Sequence, residues 1–138
     1  MAVRSRRRVD FPMIDAAGIA YYPRIYDLCH RMFEESWEQF TDYTYHQIID
    51  DVGIGFALKH IQSEFHLPIR YGDYIDISIS ISRIGNSSCT WEYSMKNQDG
   101  FLVWTSSQTT VCVDMNTLKP MDIPTEIRKA MEKHLLEV

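Results

Sequence analysis

The sequence predicts an α+β domain in which one long helix lies across a single antiparallel sheet. One segment keeps its apolar residues at helical spacing over about four turns, and the later segments alternate between apolar and polar residues or are rich in β-branched ones. The chain has 138 residues, of which 45% are hydrophobic and 24% are charged. This composition supplies one core and excludes a disordered chain, so we expect a single domain over residues 1–138.

The first part of the chain predicts a strand and then the long helix. Residues 3–11 have a strand-like mixture of apolar and polar side chains, which Pro12 interrupts. Pro23 suits the first turn of a helix, where its missing N–H is not needed. The helix is predicted over residues 23–40, with one apolar or small face made of Ile25, Leu28, Cys29, Met32, Phe33, Ser36 and Phe40. We expect this face to lie on the concave side of the sheet.

The rest of the chain predicts a short helix, four strands and a closing helix. The short helix covers residues 45–51 and ends near Gly53. In the first of the four strands, Phe56, Leu58 and His60 fall on one face if the alternation is regular. The predicted strands span residues 56–68, 75–82, 89–96 and 101–114, and the last helix follows Pro124.

Composition and charge argue against several classes of protein. The formal net charge of −5 disfavours a nucleic-acid or anionic membrane partner, although Arg4, Arg6, Arg7 and Arg8 crowd the first ten residues. Those arginines are expected on a solvated edge strand. No segment approaches the ~20 apolar residues that cross a bilayer. The three cysteines are far apart and form no Cys-x-x-Cys pair, which indicates a reduced, cytoplasmic protein.

The sequence lacks the motifs of phosphate-loop, dinucleotide-binding, Gly-x-Ser-x-Gly and His-Glu-x-x-His proteins. His60 and His66 share a predicted strand, but six residues separate them by roughly 20 Å, too far to share a metal. We therefore expect neither a metal nor another cofactor.

The remaining chemical candidate is the segment that precedes the long helix. Asp15 lies a few residues before the helix start, among small residues that permit close approach. The first N–H groups of a helix have no intrahelical acceptor, so an oxyanion near Tyr22 would be stabilised there. Asp15 could then act on the same carbonyl as a nucleophile or general base. The alternative is that Asp15 only caps a turn, and the spacing alone does not separate the two.

Residues 11–23, FPMIDAAGIAYYP, resemble the active-site loop of the 4-hydroxybenzoyl-CoA thioesterase family of hotdog-fold proteins. The resemblance continues through FHLP at 65–68, YGD at 71–73, IGNSS at 84–88 and VD at 113–114, and then Lys119, Pro120 and Pro124. It implies a hotdog fold and an acyl-CoA thioesterase that acts on a small aromatic or a short- to medium-chain acyl-CoA.

The resemblance also implies roles for particular residues. Asp15 would be catalytic, and the backbone N–H of Tyr22 would polarise the thioester carbonyl. Gly18 would belong to the substrate-binding loop, and Ser87 and Ser88 would lie near coenzyme A. Many family members carry a second aspartate where this chain has Met13, so the loop here is more apolar.

His60 is a further candidate for the acyl pocket, with a buried core histidine as the competing interpretation. Glu34, Glu35 and Glu38 on the long helix are alternatives to Asp15, because a second hotdog group uses a helix carboxylate; a solvated helix face is the simpler interpretation. The arginines of residues 4–8 could contact the phosphates of coenzyme A, with a solvated edge strand as the simpler interpretation. The three tryptophans are expected in the core or an interface.

A non-catalytic protein that binds acyl-CoA or an acyl carrier is the alternative function. A dehydratase is disfavoured because no histidine lies within ten residues of Asp15. Since a lone sheet has open edges, we expect a homodimer with the site between protomers, or a homotetramer of such dimers.

Overall fold

The computed structural model describes residues 2–135, so the predicted domain of residues 1–138 extends beyond the described part at both ends. Its strands are β1 (Val3–Arg8), β2 (Ile54–Phe65), β3 (Tyr74–Ile84), β4 (Ser88–Lys96) and β5 (Leu102–Asp114). Its helices are α1 (Tyr22–Phe40), α2 (Tyr45–Gln47), which continues into a π-helical turn over Ile48–Val52, and α3 (Thr125–Glu132). A 3₁₀ turn over Phe11–Met13 follows β1, so Pro12 lies inside a turn rather than at the end of a strand.

The five strands form one antiparallel sheet in the order β1-β3-β4-β5-β2, which leaves β1 and β2 as its edges. We call the end of the sheet where β3 begins at Tyr74 the near end, and the end where β3 finishes at Ile84 the far end. Roughly 30 Å of strand separates them. The β2 strand finishes at the near end, because Phe65 pairs with Trp104, and starts at the far end, where Ile54 pairs with Asp114.

Helix α1 packs on the inner face of the sheet and confirms the predicted apolar stripe. All seven predicted positions are buried, as is Trp37, and the helix starts at Tyr22, one residue earlier than predicted. Ile75, Ile77, Ile79 and Ile81 face it from β3 with at most 1% of their surface exposed. The aromatic rings of Phe33, Trp37 and Trp91 lie within about 6 Å of one another between helix and sheet. The predicted hotdog fold is therefore confirmed.

Strand β2 departs from the predicted alternation at Lys59. Leu58 pairs with Thr110 and His60 pairs with Thr109, so Lys59 has no partner residue in β5 and forms a bulge. One extra residue reverses which face each later side chain takes. Ile61 therefore joins Leu58 on the inner face, and His60 lies on the outer face.

The smaller helices α2 and α3 lie at the C-terminal end of α1. Thr44 and Gln47 form a reciprocal capping box at the start of α2, and Gly53 ends the following turn with a φ of 81°. Helix α3 buries Ile127 and Met131. Among the described helices, none has both the length and the apolar character needed to cross a membrane.

Candidate active site

The segment that leads into α1 is a tight hairpin. Its turn is closed by the Gly18 N–H, which donates to the Asp15 carbonyl at 3.0 Å, and by the Asp15 N–H, which donates to the Ile19 carbonyl at 3.1 Å. Gly18 has a φ of 81°, a left-handed conformation that a side chain would strain. The sequence DAAG suits this turn, because aspartate favours its first position and glycine its fourth.

The Asp15 carboxylate is exposed at this turn and has a fixed orientation. One oxygen, Oδ1, accepts a hydrogen bond of 2.8 Å from the Ala17 N–H, so Asp15 does cap the turn. The second oxygen has no hydrogen-bond partner among residues 2–135. The cap therefore orients the carboxylate and leaves one oxygen free for chemistry.

The returning arm of the hairpin leads directly into the first residue of α1, Tyr22. The Tyr21 N–H donates to the Met13 carbonyl at 2.8 Å, and the Ala20 N–H donates to the Ile69 carbonyl at 2.7 Å. These bonds fix the returning arm against the near end of the sheet. The next N–H, that of Tyr22, is the first amide of the helix and has no acceptor within its own helix. A free carboxylate oxygen and a free amide donor thus belong to one anchored segment.

An apolar cleft begins one helical turn beyond Tyr22. It has a volume of about 520 Å³ and lies between α1 and the inner face of β2 and β5. Tyr26 is four residues after Tyr22 and therefore on the same side of the helix. The cleft is lined by Tyr26, Cys29, His30, Phe33, Phe56, Leu58, Ile61, Tyr93, Gln108 and Thr110. Its size is in the range of small-molecule sites.

A chain of hydrogen bonds crosses one wall of this apolar cleft. The Tyr26 hydroxyl donates to Ser63 Oγ at 2.8 Å, and Ser63 Oγ lies 2.8 Å from Ser106 Oγ. Gln108 Nε2 donates to Ser106 Oγ at 3.1 Å and to Cys29 Sγ at 3.4 Å. Gln108 Oε1 accepts no hydrogen bond from residues 2–135, so it is an acceptor available to a ligand.

The titratable groups at the base of the cleft are neutral. Burial raises the pKa of the Cys29 thiol to about 12, and burial also raises the pKa of Tyr93 well above its usual value. A thiol that stays protonated is a poor nucleophile. The cleft is therefore suited to holding a neutral group, while Asp15 offers a free carboxylate oxygen in the hairpin before the helix.

Gly18 and Tyr22 lie in the same segment as Asp15, but within one chain the structure separates the predicted residues Ser87, Ser88 and His60 from it. Ser87 and Ser88 lie at the far end of the sheet, where the Ser87 carbonyl accepts from Cys112 and the Ser88 carbonyl from Gly85. His60 does not line the cleft, because the bulge at Lys59 turns it to the outer face.

The three helix glutamates are exposed, as expected of a solvated face. Glu35 forms an ion pair with Arg7, and Glu34 lies 3.9 Å from His30.

The sequence analysis did not identify Tyr26 or Gln108 as cleft residues. Tyr26 could have been found from its position four residues after Tyr22. Gln108 gave no comparable signal, because its place in the cleft depends on the pairing between β2 and β5.

Comparison with known proteins gives matches over most of the chain. Residues 9–131 match the Thioesterase-like superfamily. The chain is 26% identical over 132 residues to the 1,4-dihydroxy-2-naphthoyl-CoA hydrolase of Nostoc punctiforme, a match that covers 96% of this chain and 88% of that protein.

Two solved structures share the fold over nearly their whole length. Gentisyl-coenzyme A thioesterase superposes with a TM-score of 0.82 at 25% identity, covering 91% of this chain and 99% of the other. A mutant of 4-hydroxybenzoyl-CoA thioesterase in complex with 4-hydroxybenzoyl-CoA superposes with a TM-score of 0.86 at 19% identity, covering 94% and 98%.

Proposed function

Because this chain belongs to the Thioesterase-like superfamily and is an acyl-CoA thioesterase, we propose that Asp15 and the Tyr22 amide carry out the hydrolysis. The match of residues 9–131 to this superfamily confirms the family resemblance drawn from the sequence. The observation that carries the proposed site is the anchored hairpin. It presents one unpaired oxygen of Asp15 and the unpaired N–H of Tyr22 from the same short segment.

In the proposed reaction, the thioester carbonyl oxygen accepts a hydrogen bond from the Tyr22 N–H. This donor and the partial positive charge of the helix start stabilise the negative charge that develops on that oxygen. Asp15 then attacks the carbonyl carbon and displaces the thiolate of coenzyme A, leaving a mixed anhydride that water hydrolyses. Alternatively, Asp15 removes a proton from the attacking water. Both routes yield the free acid and coenzyme A.

The apolar cleft is the proposed site of the acyl group. It continues along the side of α1 that Tyr22 shares with Tyr26, so an acyl group held at Tyr22 can extend into it. Its aromatic and aliphatic walls favour a small aromatic or short- to medium-chain acyl group. The unpaired Gln108 Oε1 could accept a hydrogen bond from an acyl hydroxyl, and the names of three relatives specify hydroxylated aromatic acyl groups.

We further propose that a second copy of the chain completes the site. Strand β2 is a sheet edge whose inner side exposes 55% of Leu58, 37% of Ile61 and 53% of Phe65. Antiparallel pairing of two β2 strands would cover these side chains. It would also bring the near end of one protomer beside the far end of its partner, and Ser87 and Ser88 lie at that far end. A homotetramer of such dimers is a further possible assembly.

The change Asp15→Asn tests the proposed mechanism. Asparagine keeps the shape of the side chain and its carbonyl oxygen for the Ala17 N–H, while it removes the negative charge. Turnover is expected to fall by at least about a hundredfold, since general-base assistance is worth ~10²–10⁴ in rate. Single-turnover release of free thiol from a panel of acyl-CoAs measures this, and binding of the acyl-CoA should persist.

Glu35→Gln is the matched control, because it removes the same charge from the exposed side of α1. Its turnover should change by less than about threefold. Near-normal hydrolysis by Asp15→Asn would refute the mechanism. Loss of hydrolysis in Glu35→Gln alone would indicate a helix carboxylate instead.

A further inference from the structure

A second cleft lies on the opposite side of α1 from the acyl cleft. It has a volume of about 570 Å³ and is formed by the end of β1, the 3₁₀ turn, Tyr74 and the first turns of α1. The helix contributes Arg24, Asp27, Leu28 and Arg31, whereas it contributes Tyr26, Cys29, His30 and Phe33 to the acyl cleft. At about 100° per residue these two sets face in opposite directions. We call the second cleft the arginine cleft.

The charge of the arginine cleft contrasts with that of the chain. The chain has a formal net charge of −5, yet the lining of this cleft contains four arginines and two aspartates. The arginines are Arg7, Arg8, Arg24 and Arg31, and the aspartates are Asp10 and Asp27. Two distant segments of the sequence, 4–8 and 24–31, supply these arginines, so the positive charge becomes concentrated only when the chain folds.

The guanidinium groups of the arginine cleft retain free donors. Arg8 contacts Asp10 at 2.7 Å and Arg31 contacts Asp27 at 3.3 Å, but both arginine side chains are more than 60% exposed. Each guanidinium has five N–H donors, so a single carboxylate contact does not saturate it. Arg24 has no acidic partner among residues 2–135. Arg24 could therefore bind an incoming anion without first breaking an ion pair.

The remaining walls of the cleft are apolar or aromatic. Leu28 is buried beneath it, and Met13 packs against the core beside it. Tyr74 is 44% exposed, and the Arg6 guanidinium lies 5.6 Å from the centre of its ring. A fitting ligand would combine anionic groups with a flat or apolar part.

We propose that the arginine cleft binds the phosphates of a nucleotide, with the base against Tyr74. Guanidinium forks match phosphate oxygens in geometry as well as in charge. The cleft lies beside the Asp15 hairpin, because Met13 lines it and Arg24 belongs to the first turn of α1. Two ligands share this chemistry: the nucleotide portion of the coenzyme A ester under the proposed function, and a separate free nucleotide.

Calorimetric titration of the protein with coenzyme A and, separately, with ADP tests the proposal without depending on catalysis. Arg24→Gln should weaken the binding of at least one of them about tenfold, the effect of losing one charge-assisted contact. Lys129→Gln removes the same charge from α3, at the other end of α1, and should change affinity less than about twofold. Thermal melting of each variant verifies that it is folded.

Steady-state kinetics then distinguish the two sources of the nucleotide. If the site holds the substrate's own phosphates, Arg24→Gln raises KM for an acyl-CoA about tenfold but leaves KM for the matching acyl-pantetheine unchanged. If the ligand is a separate nucleotide, ADP binding weakens while both KM values stay constant. Unchanged binding of both ADP and coenzyme A in Arg24→Gln, or no binding of either by the unmodified protein, would overturn the proposal. Loss of hydrolysis alone would not, because the titrations report on the arginine cleft directly.

Discussion

The two carboxylate oxygens of Asp15 have different roles in the proposed mechanism. Oδ1 accepts from the Ala17 N–H and closes the turn, whereas the second oxygen is free. A carboxylate that rotated freely would have to be ordered in every catalytic cycle, and the cap removes most of that cost beforehand. The sequence analysis treated capping and catalysis as competing interpretations, but a capped Asp15 still has one free oxygen, so the two are compatible.

Gly18 is the residue that permits this arrangement, and Gly18→Ala tests it. The φ of 81° at this position costs an L-residue about 1–2 kcal/mol, although an added Cβ would meet no atom within 4 Å. We expect a loss of stability of that size in urea melts. We also expect a loss of turnover of at least about tenfold, because the relaxed turn would misplace the Asp15 carboxylate.

Gly53→Ala is a matched control, since Gly53 also has a φ of 81° with open space around it, at the far end of the sheet. It should cost similar stability and leave turnover nearly unchanged. Equal losses of turnover in both variants would show that strain, and not the position of Asp15, limits activity.

At the scale of the elements, the helices and the sheet could be predicted, but the faces of β2 could not. Helix α1 followed from a strict apolar stripe, and β3 followed from four isoleucines alternating with polar residues. Both patterns are local. The bulge at Lys59 depends on pairing with β5, more than 40 residues later, so no local pattern could place His60 on the outer face. Likewise, the arginine cleft required two distant segments to meet.

The contact between α1 and the sheet depends on Phe33. Its side chain is 5% exposed and packs edge-on against Trp37, Tyr45 and Trp91. Phe33→Ala should reduce the free energy of unfolding by about 3–5 kcal/mol, measured by urea titration. Phe101→Ala, at a residue that is 61% exposed, should change it by less than about 0.5 kcal/mol. A loss below about 1 kcal/mol for Phe33→Ala would mean that the helix packs through another face.

At the scale of the whole molecule, the two edge strands of the sheet expose different kinds of side chain. Strand β1 carries alternate exposed arginines, and charged side chains discourage pairing at an edge. Strand β2 instead exposes apolar side chains on its inner side. This asymmetry is why we assign the proposed dimer to β2.

Ile61→Lys tests the proposed dimer, because it places a charge on the apolar inner side of that edge. The variant should be monomeric by light scattering at micromolar concentration, retain its secondary structure, and lose most of its hydrolytic activity. Phe101→Lys adds the same charge at the tip of the β4–β5 turn and should remain dimeric and active. A stable, active monomer of the unmodified protein would contradict both the dimer and the shared site.

The bulge at Lys59 is a point at which β2 can lose one residue and keep its pairing with β5. Removing Lys59 alone would give a regular strand in which His60 follows Leu58 directly, so the six later positions of β2, residues 60–65, would keep their present sides. His60 and Glu64 would stay on the outer face, and Ile61 and Phe65 would stay beside α1. In relatives of this chain, the loss of one residue at the position of Lys59 would therefore leave the lining of the acyl cleft unchanged.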